Sequence, residues 1–589
     1  MTDVDMALDL PRRGSPEYPP SPMRVFPFLL AVVLFTGVVA HAASERAACR
    51  ASCRQLQKNC ATATSSDHKA VLAGCAGTAD PKACRTTAKK TLKAALGDCR
   101  RTARKGCVPC CKKGGPNACA QLAGAFLPAE PQSEGDPVLG RTLLLEGDYM
   151  TCGAPYDLWN NPVTRPIIAG GYGGAADAPR LPDRTGKNAD LPFFLTAFTA
   201  QDGTDVVNAN CLMCHGGLFD GKLQIGLGNA TADFTNGAGG TATGVPLTDD
   251  LLDLLGLDDL ERAHLRQIGS RGGVLGPRSK MRTIGMNPAE IFAVVLMVHH
   301  DRDTLAWSDT EVTPYNVRDA AGAPIADPRL TSDPPPWWRV HKKNALFYNG
   351  MARGDHRGTM ALATSVCVDD VARAQVVDEE FRHIQAYLKT LRAPAYPRAI
   401  DQTLVEKGRP IFTRDCAPCH GTYAARDEDE TYPNLLIPLD VIGTDPVVAN
   451  AGVVHSPALV DWYNASFYGG VTRMVPNDPF PGYMPPPLDG IWATAPFLHN
   501  GSVPTIELVL KSWARPTYWK RTDLDSTHFD EDALGWPWDA TGPQGDAPED
   551  ERKLIYDTTY WSQSNKGHRF GDHLSDDERR AVIEYLKTL

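Results

Sequence analysis

The chain has 589 residues, a formal net charge of −10 and 16 cysteines. That length allows several domains with full cores, and the acidic balance argues against a nucleic-acid binder. Its 52 glycines and 47 prolines point to a loop-rich fold.

In chain order, "MRVFPFLLAVVLFTGVVAHAA" from Met23 reads as an export signal. Arg24 is the charged start, residues 25–39 the apolar stretch, and Ala40-His41-Ala42 the cleavage site. The acidic, proline-rich residues before it are not needed by any signal, so Met23 is the expected start. A membrane anchor, the competing reading, needs an apolar run of about 20 residues, and this one is shorter. The mature protein is therefore expected to be exported, periplasmic or extracellular in a bacterium, without a transmembrane anchor. Residues 1–43 form this leader.

Residues 44–126 read as a small, basic, cysteine-rich helical module. Ten of the cysteines lie between Cys49 and Cys119, and residues 44–119 hold 16 Lys/Arg against 4 Asp/Glu. Cys49 and Cys53 are four apart on one helical face. Disulfides would staple a module too small to bury much core. "CVPCC", 107–111, lacks a histidine and is expected to be disulfide-bonded. The basic charge suits docking on the acidic body, an anionic surface or a partner, or simply a solvated spacer. A linker at 127–140 follows.

Beyond it, "CLMCH" at 211–215 and "CAPCH" at 416–420 share one grammar. CxxCH is the attachment signature of c-type haem: two sulfurs bind one edge of the macrocycle, and the adjacent histidine turns to the iron. Zinc would bring two CxxC units closer together, and a redox dithiol has no need of histidine twice. Two covalently attached haem c groups are expected, held by Cys211, Cys214 and His215 and by Cys416, Cys419 and His420. The pentapeptide YLKTL closes two amphipathic patterns, at Leu391 and Leu589, at a similar distance after each motif. The expected fold is therefore mainly α and loop-rich: two tandem cytochrome c-like domains, 141–395 and 396–589, each with one covalent haem, after the disulfide-rich module. Ser575 and Glu578 form a capping box opening the last helix.

The second axial ligand decides between electron shuttling and chemistry at iron. Met484 in "GYMPPP", His499 in "APFLHNG" and His568 in "NKGHRFG" compete at the second haem. At the first, His356 is the candidate that would close the iron. Trp337 and Trp338 read either as core aromatics or as a relay between the haems.

Together "ADLPFFLTAFTAQDGTDVVNANCLMCHGG", "PPPWWRVHKKNALFYNGMARGDHR", "LDGIWATAPFLHNGSVPT" and "NKGHRFG" resemble dihaem c-type cytochromes related to the rubber oxygenases. More distantly they resemble bacterial dihaem cytochrome c peroxidases and the methylamine-utilisation dihaem enzyme. The likeness runs over roughly 138–589. It implies His215 as proximal ligand of a reactive haem, and His420 with His568 as the ligands of the other. His499 would then lie near haem propionates, with Met484 the weakest candidate. The implied activity is peroxidase- or oxygenase-like, with peroxide or dioxygen as reactant and a redox protein or small donor as partner. The alternative is a non-catalytic dihaem electron carrier. Calcium is compatible with such a site, but no residue pattern calls for it.

Overall fold

The computed structural model describes residues 124–237 and 248–589, less positions 315, 316, 320 and 326, with isolated positions between 72 and 93. The export signal, the cysteine-rich module and its expected disulfides lie outside these residues. Among the described residues, no helix is long and apolar enough to cross a membrane.

The expectation of a mainly α fold with two tandem cytochrome c-like domains is wrong. The chain is mixed α/β, with five small sheets of two or three strands set among its helices. No clear two-domain all-α cytochrome arrangement emerges. Four of the strands lie immediately around the first CxxCH. Leu195–Thr199 pairs antiparallel with Asp205–Ala209 around Asp202-Gly203. Gly216–Phe219 pairs with Lys222–Ile225 through Asp220-Gly221, whose φ values of 51° and 70° make a primed two-residue turn. These two hairpins bracket the first CxxCH, whose Leu212–His215 is a single helical turn between them.

The cores explain the correction further. One gathers Leu144, Phe194, Leu212 and Phe381 together with Tyr463, Trp519 and Tyr556 from beyond residue 395. The other gathers Phe412, Val582 and Tyr585 together with Phe219, Leu227 and Trp338 from before it. Two sheets also cross that position: Ala352–Gly354 pairs with Thr472–Met474, and Ala125–Phe126 with Leu435 and Leu436. Each half completes the other's core. The two isolated cysteines, Cys152 and Cys367, are joined with an S–S distance of 2.04 Å.

The repeated YLKTL does mark a repeated packing. The helix Gln402–Asp415 crosses Asp576–Leu586 at Gly408, where a Cβ would come within 2.0 Å of the Ala581 carbonyl oxygen. The helix Pro137–Glu146 crosses Val371–Thr390 at Gly140 in the same way, 1.8 Å from the His383 carbonyl oxygen. Only glycine allows backbones this close. Val405 and Phe412 are buried on one face of the helix Gln402–Asp415. Ser575 and Glu578 close the capping box expected of them.

Candidate cofactor site

Both CxxCH turns open on one cavity of about 680 Å³, within the usual range for a bound cofactor. Its walls include Cys211, Cys214, His215, Cys416, Cys419 and His420. All four sulfurs are free thiols rather than disulfides. Burial raises each of them: Cys214 to about 11, Cys416 and Cys419 to about 12, and Cys211 above its ordinary value. Burial lowers His215 and His420 to about 4. At neutral pH the set is therefore four neutral thiols and two neutral imidazoles. That suits thioether attachment and imidazole ligation better than a thiolate metal site.

The imidazoles are oriented by a feature the sequence carries twice. His420 donates from Nδ1 to the Pro486 carbonyl at 2.8 Å, which leaves Nε2 as the ring's free lone pair. Pro486 is the middle residue of Pro485-Pro486-Pro487. Pro335, the middle residue of Pro334-Pro335-Pro336, approaches His215 in the same role without closing a full hydrogen bond. Consecutive prolines hold an extended chain with no internal hydrogen bonds, so their carbonyls stay available to an outside donor.

His215 is also tied to the tryptophan pair. Gly226 donates to the His215 carbonyl and accepts from the Trp337 amide, both at 2.8 Å. Trp337 then stacks on the His215 ring, centroids 4.6 Å apart and 22° from parallel. Trp338 turns into the other core, where its Nε1 donates to the Asp489 carbonyl at 2.8 Å. Asp489 lies three residues after Pro486. The pair thus spans the ground between the two CxxCH turns.

His568 faces His420 across the cavity, ring centroids 6.2 Å apart at 60°. Two metal–nitrogen bonds of about 2 Å each, plus the distance from nitrogen to ring centre on either side, add up to that spacing. Its backbone is held in an unusual state, φ 44°. The preceding Gly567, φ 79°, has no room for a Cβ, which would lie 2.1 Å from the Gly443 carbonyl carbon. The His568 amide donates to Ile442 at 2.7 Å. Arg515 donates to the carbonyls of Asn565 and Gly567, each at 2.7 Å, and of His568 at 3.2 Å. Burial, with the nearby His420 and Arg515, lowers His568 to about 3, so it too is a neutral imidazole at neutral pH.

The other candidates sit differently. Tyr483 donates its hydroxyl proton to the Asp445 carbonyl at 2.6 Å and accepts from the Ala449 amide. His499 Nε2, 3.1 Å from the same oxygen, must therefore carry a proton and donate. Its ring stacks on Tyr483 at 4.2 Å. Met484 lines the cavity but packs in a small apolar cluster with Leu127, Ala345 and Leu436. His356 is buried and is not among the cavity-lining residues. Both of its ring nitrogens lack hydrogen-bond partners.

Three groups in the cavity escaped the sequence reading. Arg339 is a buried and Lys343 a half-buried cation on its wall; desolvation lowers both, Lys343 to about 8. Arg339 Nη2 has no partner within the protein. An anion arriving in the cavity, such as a propionate carboxylate, would satisfy it. Glu290, one turn along from Asn287 beside Cys214, is pushed up to about 7 by burial alone. The proline triplets and the basic residues after "PPPWW" were the available signal for the first two. Glu290 sits in an apolar helix start and gave no pattern. Two imidazoles 6.2 Å apart, attachment thiols and a buried guanidinium with one unsatisfied donor together fit covalently held haem.

Residues 482–520 match the RoxA-like, cytochrome c-like family. The matched stretch contains Met484, the second proline triplet, His499 and Arg515. The chain is also similar to two uncharacterized proteins of Sinorhizobium fredii. It is 31% identical to y4iJ over 349 residues, covering 46% of this chain and 55% of that protein. It is 24% identical to y4iM over 300 residues, covering 44% and 64%. The chain thus spans little more than half the length of these relatives. A cytochrome c-like region with covalently bound haem c, serving a haem-type redox role, is what the family match supports.

Proposed function

We propose that this protein is an exported dihaem c-type oxidoreductase, with electrons passing between two haems and peroxide or dioxygen reacting at the first. The observation that carries the reading is an asymmetry. His420 has a second imidazole opposite it at 6.2 Å, whereas the ring partner of His215 is Trp337 stacked at its side. One site is built for a six-coordinate electron carrier and the other for an iron with an open face. When bound, the haems supply one-electron redox chemistry and, at the open face, activation of an O–O bond.

The chain's own residues do the rest. Cys211, Cys214, Cys416 and Cys419 hold the macrocycles. Pro486 fixes the His420 tautomer, and Pro335 approaches His215. Arg339 and Lys343 neutralise propionates. Trp337 and Trp338 lie between the sites. Glu290, a cavity-lining carboxyl that burial pushes up to about 7, is the proton donor of this reading.

Mass spectrometry and EPR of the purified protein test this. The expected result is two haems per chain, one low-spin with two histidines and one high-spin that binds CO when reduced. One haem per chain, or two low-spin haems in both redox states, would overturn it.

A further inference from the structure

We propose that the surface around Trp513 docks an acidic one-electron carrier protein that feeds the site of His420 and His568. This rests on the haem reading of that site and names its partner. Trp513 is 70% exposed, more than any other tryptophan or phenylalanine among the described residues. It is held rather than loose. The Lys511 ammonium lies 4.9 Å from its ring centre. Its neighbour Ser512 donates to Asp572 from both amide and hydroxyl, at 2.8 and 2.7 Å. An exposed, fixed indole is a typical anchor for a protein interface.

Its position relative to the cavity gives the surface a purpose. Two residues on, Arg515 reaches inward and donates to the His568 carbonyl at 3.2 Å. The exposed indole is thus two residues and one hydrogen bond from a candidate iron ligand. Phe570, on the same loop, packs edge-on against the His568 ring at 5.2 Å and lines the cavity.

Charge selects the partner. Lys566 and Arg569 flank His568 and are exposed. Lys511 is a third cation but is paired with Asp576 at 3.3 Å. Of the local carboxylates, Asp576 is paired by Lys511 and by Arg579, while Asp572 keeps its charge as it accepts from Ser512, and Asp577 and Glu578 follow on the next helix. On a chain of net charge −10, Lys566 and Arg569 place two exposed cations on the His568 side of the apolar anchor. An acidic carrier would be steered to it and repelled elsewhere. In the exchange the carrier loses one electron, the haem gains it, and no proton or bond moves.

Reduced plant-type ferredoxin, an acidic one-electron donor, tests the proposal against the haem-loaded full chain. Stopped-flow absorbance follows haem reduction, and calorimetry with oxidised ferredoxin follows binding alone. Trp513→Ala should slow ferredoxin reduction and weaken binding, each at least tenfold, while Trp513→Phe retains most of both. Lys566→Glu with Arg569→Glu should do the same and remove the fall in rate with added salt. Reduction by dithionite and the low-spin spectrum should not change. Wild-type rates and affinities in both variants, or a wild-type protein that ferredoxin neither binds nor reduces, would overturn the docking face. A wild-type protein lacking a low-spin haem would instead overturn the reading of the site beneath it.

Discussion

The Nδ1 proton of His420 is held by the Pro486 carbonyl at 2.8 Å, and His568 stands opposite with its ring centre 6.2 Å away. One ring is fixed through a side-chain bond, the other through its backbone. His568→Met should keep six-coordination and raise the haem potential, because thioether stabilises reduced iron relative to imidazole. His568→Ala should convert the low-spin signal to high-spin and let CO bind at both haems. Redox titration and EPR check these outcomes. A spectrum unaltered in the alanine variant would remove His568 from the ligand set.

Arg515 serves five carbonyls, those of Leu508 and Val509 besides the three in the His568 loop. Removing it strands several buried acceptors at a cost of roughly 1–3 kcal/mol each before relaxation. Arg515→Ala should lower the melting temperature and loosen His568, so that the low-spin signal fades below the main transition. Arg515→Lys should rescue little, since an ammonium cannot reproduce the planar fork. Thermal melts followed at the haem band and by far-UV circular dichroism separate the two losses.

The chemistry of this chain was easier to read in its sequence than its architecture. The CxxCH turns announce their role because covalent attachment demands that spacing. That His568 lies opposite His420 could not be read from its distance along the chain. The strands were hidden in plain view: Asp202-Gly203 and Asp220-Gly221 are strong hairpin signals. Strands of four or five residues carry too few alternations to stand out against helical periodicity. Trp338 in the second core and Trp519 in the first show why a boundary at residue 395 could not be read locally. Pairing between distant segments leaves no periodic trace. Arg339 and Glu290 matter only through burial, which a single sequence does not display.

Trp337 stacks on His215 and Trp338 reaches toward the segment that holds His420. If the pair carries electrons, Trp337→Leu should slow re-equilibration between the haems after flash photolysis of CO from the reduced form. The absorbance spectrum should change little, because His215 keeps its place in the CxxCH turn. Losing the stack should cost about 1 kcal/mol beyond lost area, visible as a modest fall in melting temperature. Equal re-equilibration rates in variant and wild type would leave Trp337 with a packing role only.

Glu290 provides a pH test with a definite sign. Burial raises its carboxyl from 4.5 to about 7, so the neutral form is the one the fold favours. The stability this adds is fully present below the unfolded value and is lost as pH rises through about 7. Glu290→Gln, neutral throughout, should therefore gain stability over wild type as pH rises from 5 to 8, by roughly 3 kcal/mol at most. If Glu290 delivers a proton at the first haem, peroxide turnover should fall as pH rises through the same range. The glutamine variant should lose that limb along with about 10²- to 10⁴-fold of the rate. A stability difference without any change in the turnover profile would make Glu290 a buried acid with no part in the chemistry.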